Sequence, residues 1–297
     1  MLVLPDPRLW ETSGAVPYPV PVNLDPVVSA DRLAGHVTAL TAHGPRCGDL
    51  PGVTAALRYM TDSLKAEGLA VKVERYGGEL HDVNLVAEIP GASPDAVELC
   101  AHWDTTPDGV GADDNASGVA GVLEAARALR GLELPARTVR FCLFGGEETG
   151  FLGSTAHVRG ITPGTESIVF EMIGYTAAGQ GFPPQFAELV DPPSRGDFIA
   201  LVGEPDSMHL VHDFALHATV PVFPFIVPVV ARDLVMRSDH VPYWESRRRS
   251  LLVTDTADYR NPNYHRPTDT LDTLDLPFAA GVVEAAVRTI TAAAYGT

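Results

Sequence analysis

The feature that most narrows what this chain can fold into is an alternation of short apolar runs with stretches of helical period. AVELCAHWD (96–104), TVRFCLFG (138–145), SIVFEMIGY (167–175), FIALVGE (198–204) and SLLVTDTA (250–257) are short runs rich in apolar and β-branched residues. Such runs read as strands, the most continuous of them covered on both faces. SGVAGVLEAARAL (117–129), residues 207–217 and residues 276–294 read as helices, the last with Pro277 in its first turn. Strands separated by helices pair in parallel through crossover connections, so the expectation is an α/β fold around a largely parallel sheet.

The flanking segments fit that frame. Residues 29–41 show a short helical pattern, and 53–68 an amphipathic helix closed by Gly68. Residues 69–76 alternate like a strand, 84–91 form another, and the prolines of 220–228 suit an edge strand. Residues 1–28 are proline-rich and without period, and are expected to form an extended arm ahead of a single domain spanning 29–297, with no internal repeat or linker. The Gly/Pro-rich excursion 176–196 is long for a compact domain, and such loops carry function more often than not.

Charge and cysteine content exclude some roles. With 38 acidic against 21 basic residues the net charge is −17, which argues against nucleic-acid binding and docking on anionic membrane. Three cysteines make no disulfide framework, and Cys100 and Cys142 fall in strand runs where they read as small apolar fillers. The first residues lack a basic, then apolar, leader pattern, and no uncharged apolar stretch reaches membrane-spanning length; a cytoplasmic protein is expected.

In sheets of this kind ligands bind beyond the carboxyl ends of the strands. Imidazoles and carboxylates recur there: His102 and Asp104 after the first run, Glu147 and Glu148 after the second, Glu171 within the third, and Tyr264 and His265 in the loop after the last. Asp113 and Asp114 lie in GADDNASG between the first two. Zinc takes neutral imidazole nitrogens and carboxylate oxygens, and paired metals need a ligand that touches both ions, a task suited to a carboxylate.

The ordered set AHWDTTPDGVGADDNASG, FGGEETGFLGS, EMIGY and DTADYRNPNYHRPTDTLDTLD resembles the dizinc aminopeptidase family, from about residue 30 to the C-terminus. That family of co-catalytic zinc exopeptidases also includes glutamate carboxypeptidase and glutaminyl cyclases. The resemblance implies a three-layer α/β/α sandwich with a mixed, mostly parallel central sheet, and two zinc ions acting on a peptide or amino-acid-derivative substrate. By it, His102 and Glu171 hold one zinc, Glu148 and His265 the other, and Asp114 bridges them, followed by a cis peptide bond to Asn115. Glu147 is the general base, and Tyr264 a candidate for stabilising the oxyanion. Asp104 is expected to accept a hydrogen bond from the His102 ring, and Asp239 and His240, in RSDHVPYW, to line the pocket or support the ligands from behind. One departure stands out: the family usually has Asp where this chain has Glu171, whose extra methylene carries the carboxylate about 1.5 Å further out. A glutaminyl cyclase is the rival within the fold, but that branch carries tryptophans where this chain has GEETGFLGS and Tyr264. A non-catalytic binding protein is the rival outside it, opposed by the presence of Glu147 and every ligand position. The remaining histidines, His36, His43, His81, His157, His209, His212 and His217, read as surface or core residues.

Overall fold

The computed structural model describes residues 28–187 and 189–296. The expected N-terminal arm lies, but for its last residue, outside the described residues. Two helices open the described chain, α1 (Ala30–Thr41) and α2 (Pro51–Ala66), followed by β1 (Val71–Arg75), β2 (Val83–Ile89) and β3 (Ser93–His102). Then come α3 (Gly118–Leu129), β4 (Arg137–Phe144), α4 (Leu152–Val158), β5 (Glu166–Glu171), a one-turn α5 (Pro184–Ala187) and β6 (Ile199–Gly203). The chain closes with α6 (Met208–His217), β7 (Val222–Ile226), α7 (His240–Glu245), β8 (Arg249–Thr254) and α8 (Leu276–Tyr295).

The strands form one sheet of eight in the order β1-β2-β4-β3-β5-β8-β6-β7. The centre, β4, β3, β5 and β8, is parallel as expected; β1 and β2 join antiparallel on one side, and β6 runs antiparallel to β8 with β7 parallel beyond it. β7 is the edge strand that its prolines suggested, since an edge needs fewer backbone donors. β3 begins three residues before the apolar run, with a bulge between Ser93 and Ala96 that accommodates Pro94. β5 stops at Glu171, short of the expected 175, because Met172 takes a left-handed φ of 53° and turns the chain out of the sheet.

Helices α1, α2, α3, α6 and α8 pack on one face, and α4 and α7 on the other. The larger core lies under the first set and includes Leu99, Phe141, Ile168, Phe170, Val253 and Val283. Burying each such side chain contributes roughly 1.5–3 kcal/mol. Gly121 lets α3 approach closely, since a β-carbon there would meet the Phe170 ring at 2.9 Å and Val283 at 3.0 Å. Among the described residues, α8 alone is long and apolar enough to cross a membrane; it carries Glu284 and Arg288, and more than half of it is buried against α1, α3 and α6.

Candidate active site

Parallel strands all present their carboxyl ends on one edge, and the expected donors gather there. His102 is the last residue of β3 and Glu171 the last of β5. Glu147 and Glu148 follow β4 on a turn, and His265 reaches in from the loop after β8. The His102 Nε2 lies 3.3 Å from Asp114 Oδ1 and 3.3 Å from Glu171 Oε2. The His265 Nε2 lies 3.1 Å from Asp114 Oδ2 and 3.1 Å from Glu148 Oε2. Asp114 thus presents one oxygen to each imidazole.

Local structure aims Asp114. Gly111 takes a left-handed φ of 57°, and a β-carbon there would meet the Asp114 carbonyl oxygen at 2.0 Å, so only glycine fits the turn. The Asp114–Asn115 bond is cis, as the resemblance implied. The backbone N–H groups of Asp113 and Asp114 donate to Asp269 Oδ1 and Oδ2 at 2.9 and 3.0 Å. Asn115 ties the turn to the end of β5, its Nδ2 donating to Phe170 O at 2.9 Å and its Oδ1 accepting from Met172 N at 3.1 Å. Asp113 points away from the imidazoles and accepts from Gly174 N and the Asn261 amide.

Asp104 serves differently from the expectation. The His102 Nδ1 lies 3.2 Å from the backbone carbonyl of Asp104 and 3.6 Å from its carboxylate. The Asp104 carboxylate instead accepts from the N–H groups of Glu147 and Glu148, both at 3.2 Å, and so fixes the double-glutamate turn. Asp239 is fully buried behind the site, accepting from the Ser154 hydroxyl at 2.5 Å. His240 does not reach the ligands: its Nε2 bonds to Val235 O at 2.8 Å and its ring meets Trp244 edge-on. Neither residue lines the cleft. Tyr264 does, with its ring stacked on His265 at 3.8 Å between centroids.

Sequence reasoning missed three supporting residues. Ser238 donates its hydroxyl to Glu171 Oε2 at 2.6 Å. Asp269 holds the Asp113–Asp114 amides. Arg46, fully buried, donates to the carbonyls of Trp103 at 2.6 Å, Val110 at 2.5 Å and Gly111 at 3.0 Å, clamping the end of β3 to the Asp114 turn. The RSDH motif offered a faint signal for Ser238; nothing local marked Arg46.

The electrostatics expose a shortage of positive charge. Burial pushes the Glu147 carboxyl well above its usual range, with His102 opposing and Glu171, Asp239 and Glu148 adding to the rise. Burial also raises Glu148, whose Oε1 is buried with no partner. Burial would lower His102, yet Glu171 and Glu147 together hold its imidazole well above 6.5. Hydrogen bonds to Asp114 and Glu148 lift His265 to about 10. Raised imidazoles and raised carboxyls together mark a site whose carboxylates outnumber the cationic groups around them. His102, Glu147 and Glu171 form one set of converging donor atoms and Asp114, Glu148 and His265 another, the atoms of each within 4.8 Å of one another. Imidazole with carboxylate is the donor chemistry of zinc, and the buried Oε1 of Glu148 has no protein partner, so these residues fit a metal.

Beside Glu171 opens a cleft with a cavity of about 80 Å³, walled by Phe182, Phe186, Phe223, Phe225, Ala200 and Val202. Phe182 stacks on Phe186 with centroids 4.9 Å apart. The excursion 176–196 thus supplies two aromatic walls. Arg237 sits at the rim, paired with Asp258 at 2.8 Å and lying over the Tyr259 ring.

Comparison with known proteins identifies the family. The model of peptidase family M28 matches residues 84–290. Uncharacterized protein YfbL of Escherichia coli is 33% identical over 275 residues, 83% of this chain and 82% of that protein. Leupeptin-inactivating enzyme 1 of Streptomyces exfoliatus is 27% identical over 186 residues, 61% of this chain and 42% of that protein. Among solved structures, the LapA aminopeptidase of Legionella pneumophila superposes with a TM-score of 0.75 at 20% identity, over 90% of this chain and 72% of that one. The Bacillus subtilis zinc aminopeptidase BSAP gives 0.68 at 16% identity, over 91% of this chain and 95% of that one. A matched family model over most of the chain, joined to a donor set at the strand ends, makes this chain a member of peptidase family M28.

Proposed function

We propose that this chain is a metal-dependent aminopeptidase with two zinc ions, hydrolysing the first peptide bond of substrates that begin with a large apolar residue. The observation that carries the reading is Asp114, whose two oxygens lie 3.3 and 3.1 Å from the imidazoles of two separate donor sets. His102 and Glu171 would hold one ion, Glu148 and His265 the other, and Asp114 would contact both. Zinc bound at these positions would supply carbonyl polarisation and a more acidic water.

The protein's own groups do the rest. The Glu147 Oε2 stands 4.0 Å from His102 Nε2, beyond hydrogen-bond reach, and cations bound beside it would offset the burial and like charges that raise its carboxyl, leaving a carboxylate able to take the proton of the attacking water and return it to the leaving amine. Burial and nearby carboxylates keep the Tyr264 hydroxyl protonated, able to donate to a developing oxyanion. The aromatic cleft has room for one side chain, and the carboxylates at its inner end suit the ammonium group of a free N-terminus.

The test is metal-dependent release of p-nitroaniline from amino-acid p-nitroanilides. Glu147→Gln is expected to lower kcat by about 10²–10⁴-fold while zinc content is unchanged. Cyclisation of glutaminyl peptides in place of hydrolysis would support the cyclase reading, and metal binding without turnover of either substrate class the binding-protein reading.

A further inference from the structure

On the face of the sheet opposite the larger core, a second group of donor atoms lies away from the cleft. Cys100 of β3 and Cys142 of β4 are register partners, so their side chains stand next to each other on the same face. Both sulfurs and a carboxylate oxygen of Glu98 lie within 4.8 Å of one another. His157, from α4, brings its Nε2 to 3.7 Å from Cys142 Sγ and 3.3 Å from Glu98 Oε1. Tyr243 donates its hydroxyl to the other oxygen of Glu98 at 2.5 Å and lies 3.7 Å from Cys100 Sγ. Glu98, Cys100 and Cys142 are fully buried and the His157 side chain is 3% exposed. Filling space accounts for two small thiols in a core. Glu98 and His157 are fixed beside the sulfurs by partners of their own: Arg140, His157 and Tyr243 bond to Glu98, and Glu74 Oε2 lies 2.7 Å from His157 Nδ1, the carboxylate–imidazole pairing found behind metal-ligating histidines.

We propose that Cys100, Cys142, His157 and Glu98 form a site for a thiophilic divalent cation, zinc or cadmium, separate from the pair at the strand ends. Two sulfurs, one imidazole nitrogen and one carboxylate oxygen are a tetrahedral donor set for such an ion. Cys100 precedes His102 by two residues, about 6.6 Å along the strand, so neither ion shares a ligand with the other. The cation enters as the two thiol protons and the proton between His157 Nε2 and Glu98 Oε1 leave, three positive charges replaced by two. Arg140, bonded to Glu98 and to Glu88, stays to offset the thiolates. His157 and Arg140, which border the cluster, also line an open groove of about 550 Å³ together with Glu74 and Glu88, and the ion would enter from that side. The bound ion staples β3 and β4 to α4.

The experiment uses the zinc-loaded full chain carrying Cys47→Ser, which removes the one partly exposed thiol. Cadmium is titrated while sulfur-to-cadmium charge-transfer absorbance is followed, and bound metal is counted after gel filtration. The expected result is one more ion per chain than in the same protein with Cys142→Ala, with the absorbance band lost in that variant. His157→Gln is expected to keep the band but bind at least about tenfold more weakly. If Cys142→Ala does not fold, the band in the background protein and its weakening by His157→Gln decide the matter. Absence of the band at cadmium saturation, or equal metal counts with and without Cys142, overturns the proposal. Neither readout depends on peptidase activity, so failure here and failure of the aminopeptidase reading are separate outcomes.

Discussion

Shortening Glu171 to the aspartate usual in the family is expected to weaken this metal centre. The strand end cannot advance to compensate: Glu171 is register partner to Thr254 of β8, Met172 N donates to Asn115 Oδ1 at 3.1 Å, and Met172 O accepts from Asp255 N at 2.7 Å. Removing one methylene withdraws the carboxylate by about 1.5 Å. The Ser238 hydroxyl, now 2.6 Å from Oε2, is then left out of reach, and the oxygens 3.3 and 3.4 Å from His102 Nε2 retreat with it. A hydrogen bond to a charged group is worth about 1.5–3 kcal/mol. If that bond is what holds the ligand oxygen in place, zinc at the His102 set binds roughly 10- to 100-fold more weakly in Glu171→Asp. Competition against a chromophoric chelator measures the two affinities, and Ser238→Ala should weaken the same ion in the same direction. Zinc held as tightly or more tightly in Glu171→Asp would refute the reasoning, by showing that the main chain rather than the side-chain length sets the ligand.

Three further outcomes are expected. Arg46→Met leaves buried carbonyls at Trp103, Val110 and Gly111 without their donor and removes a buried cation near four carboxylates, so urea unfolding should show a loss of about 3–5 kcal/mol; a loss under about 1 kcal/mol would contradict the clamp. Ala200→Phe fills the cleft and should lower kcat/KM for leucine p-nitroanilide more than about tenfold, with a smaller effect on the alanine substrate, whereas parallel losses would place the side-chain subsite elsewhere. Burial opposes the charge on Glu74 and Glu166, yet bonds from His157 to the first and from His209 and Arg137 to the second hold both at about 2, below the usual 4.5. These depressed carboxyls stabilise the fold above pH 4.5, and that contribution is lost as pH falls from 4.5 towards 2; a denaturation midpoint flat across that window would disprove it.

Much of the architecture was legible in the chain. The apolar runs became the central strands, and donors placed after them came together because parallel strands end on the same edge. Boundaries were less legible where backbone torsion decided them, as at Met172, which cuts β5 short. Helices α4 and α7, of 7 and 6 residues, were too short for period to announce them, although α4 carries His157 and α7 begins at His240.

The sequence alone determined which residues offer metal-donor chemistry, because residue type sets it, and the apolar runs determined roughly where the central strands fall. Tertiary structure decided which groups hold those ligands still. Arg46 meets Trp103 across 57 positions, Ser238 meets Glu171 across 67, and Asp269 meets Asp114 across 155. It also gave the Asp104 carboxylate to the Glu147–Glu148 turn rather than to the His102 ring, and set Cys100 beside Cys142. Local periodicity records burial along one element, whereas hydrogen bonds between distant segments exist only once the sheet has brought their backbones together.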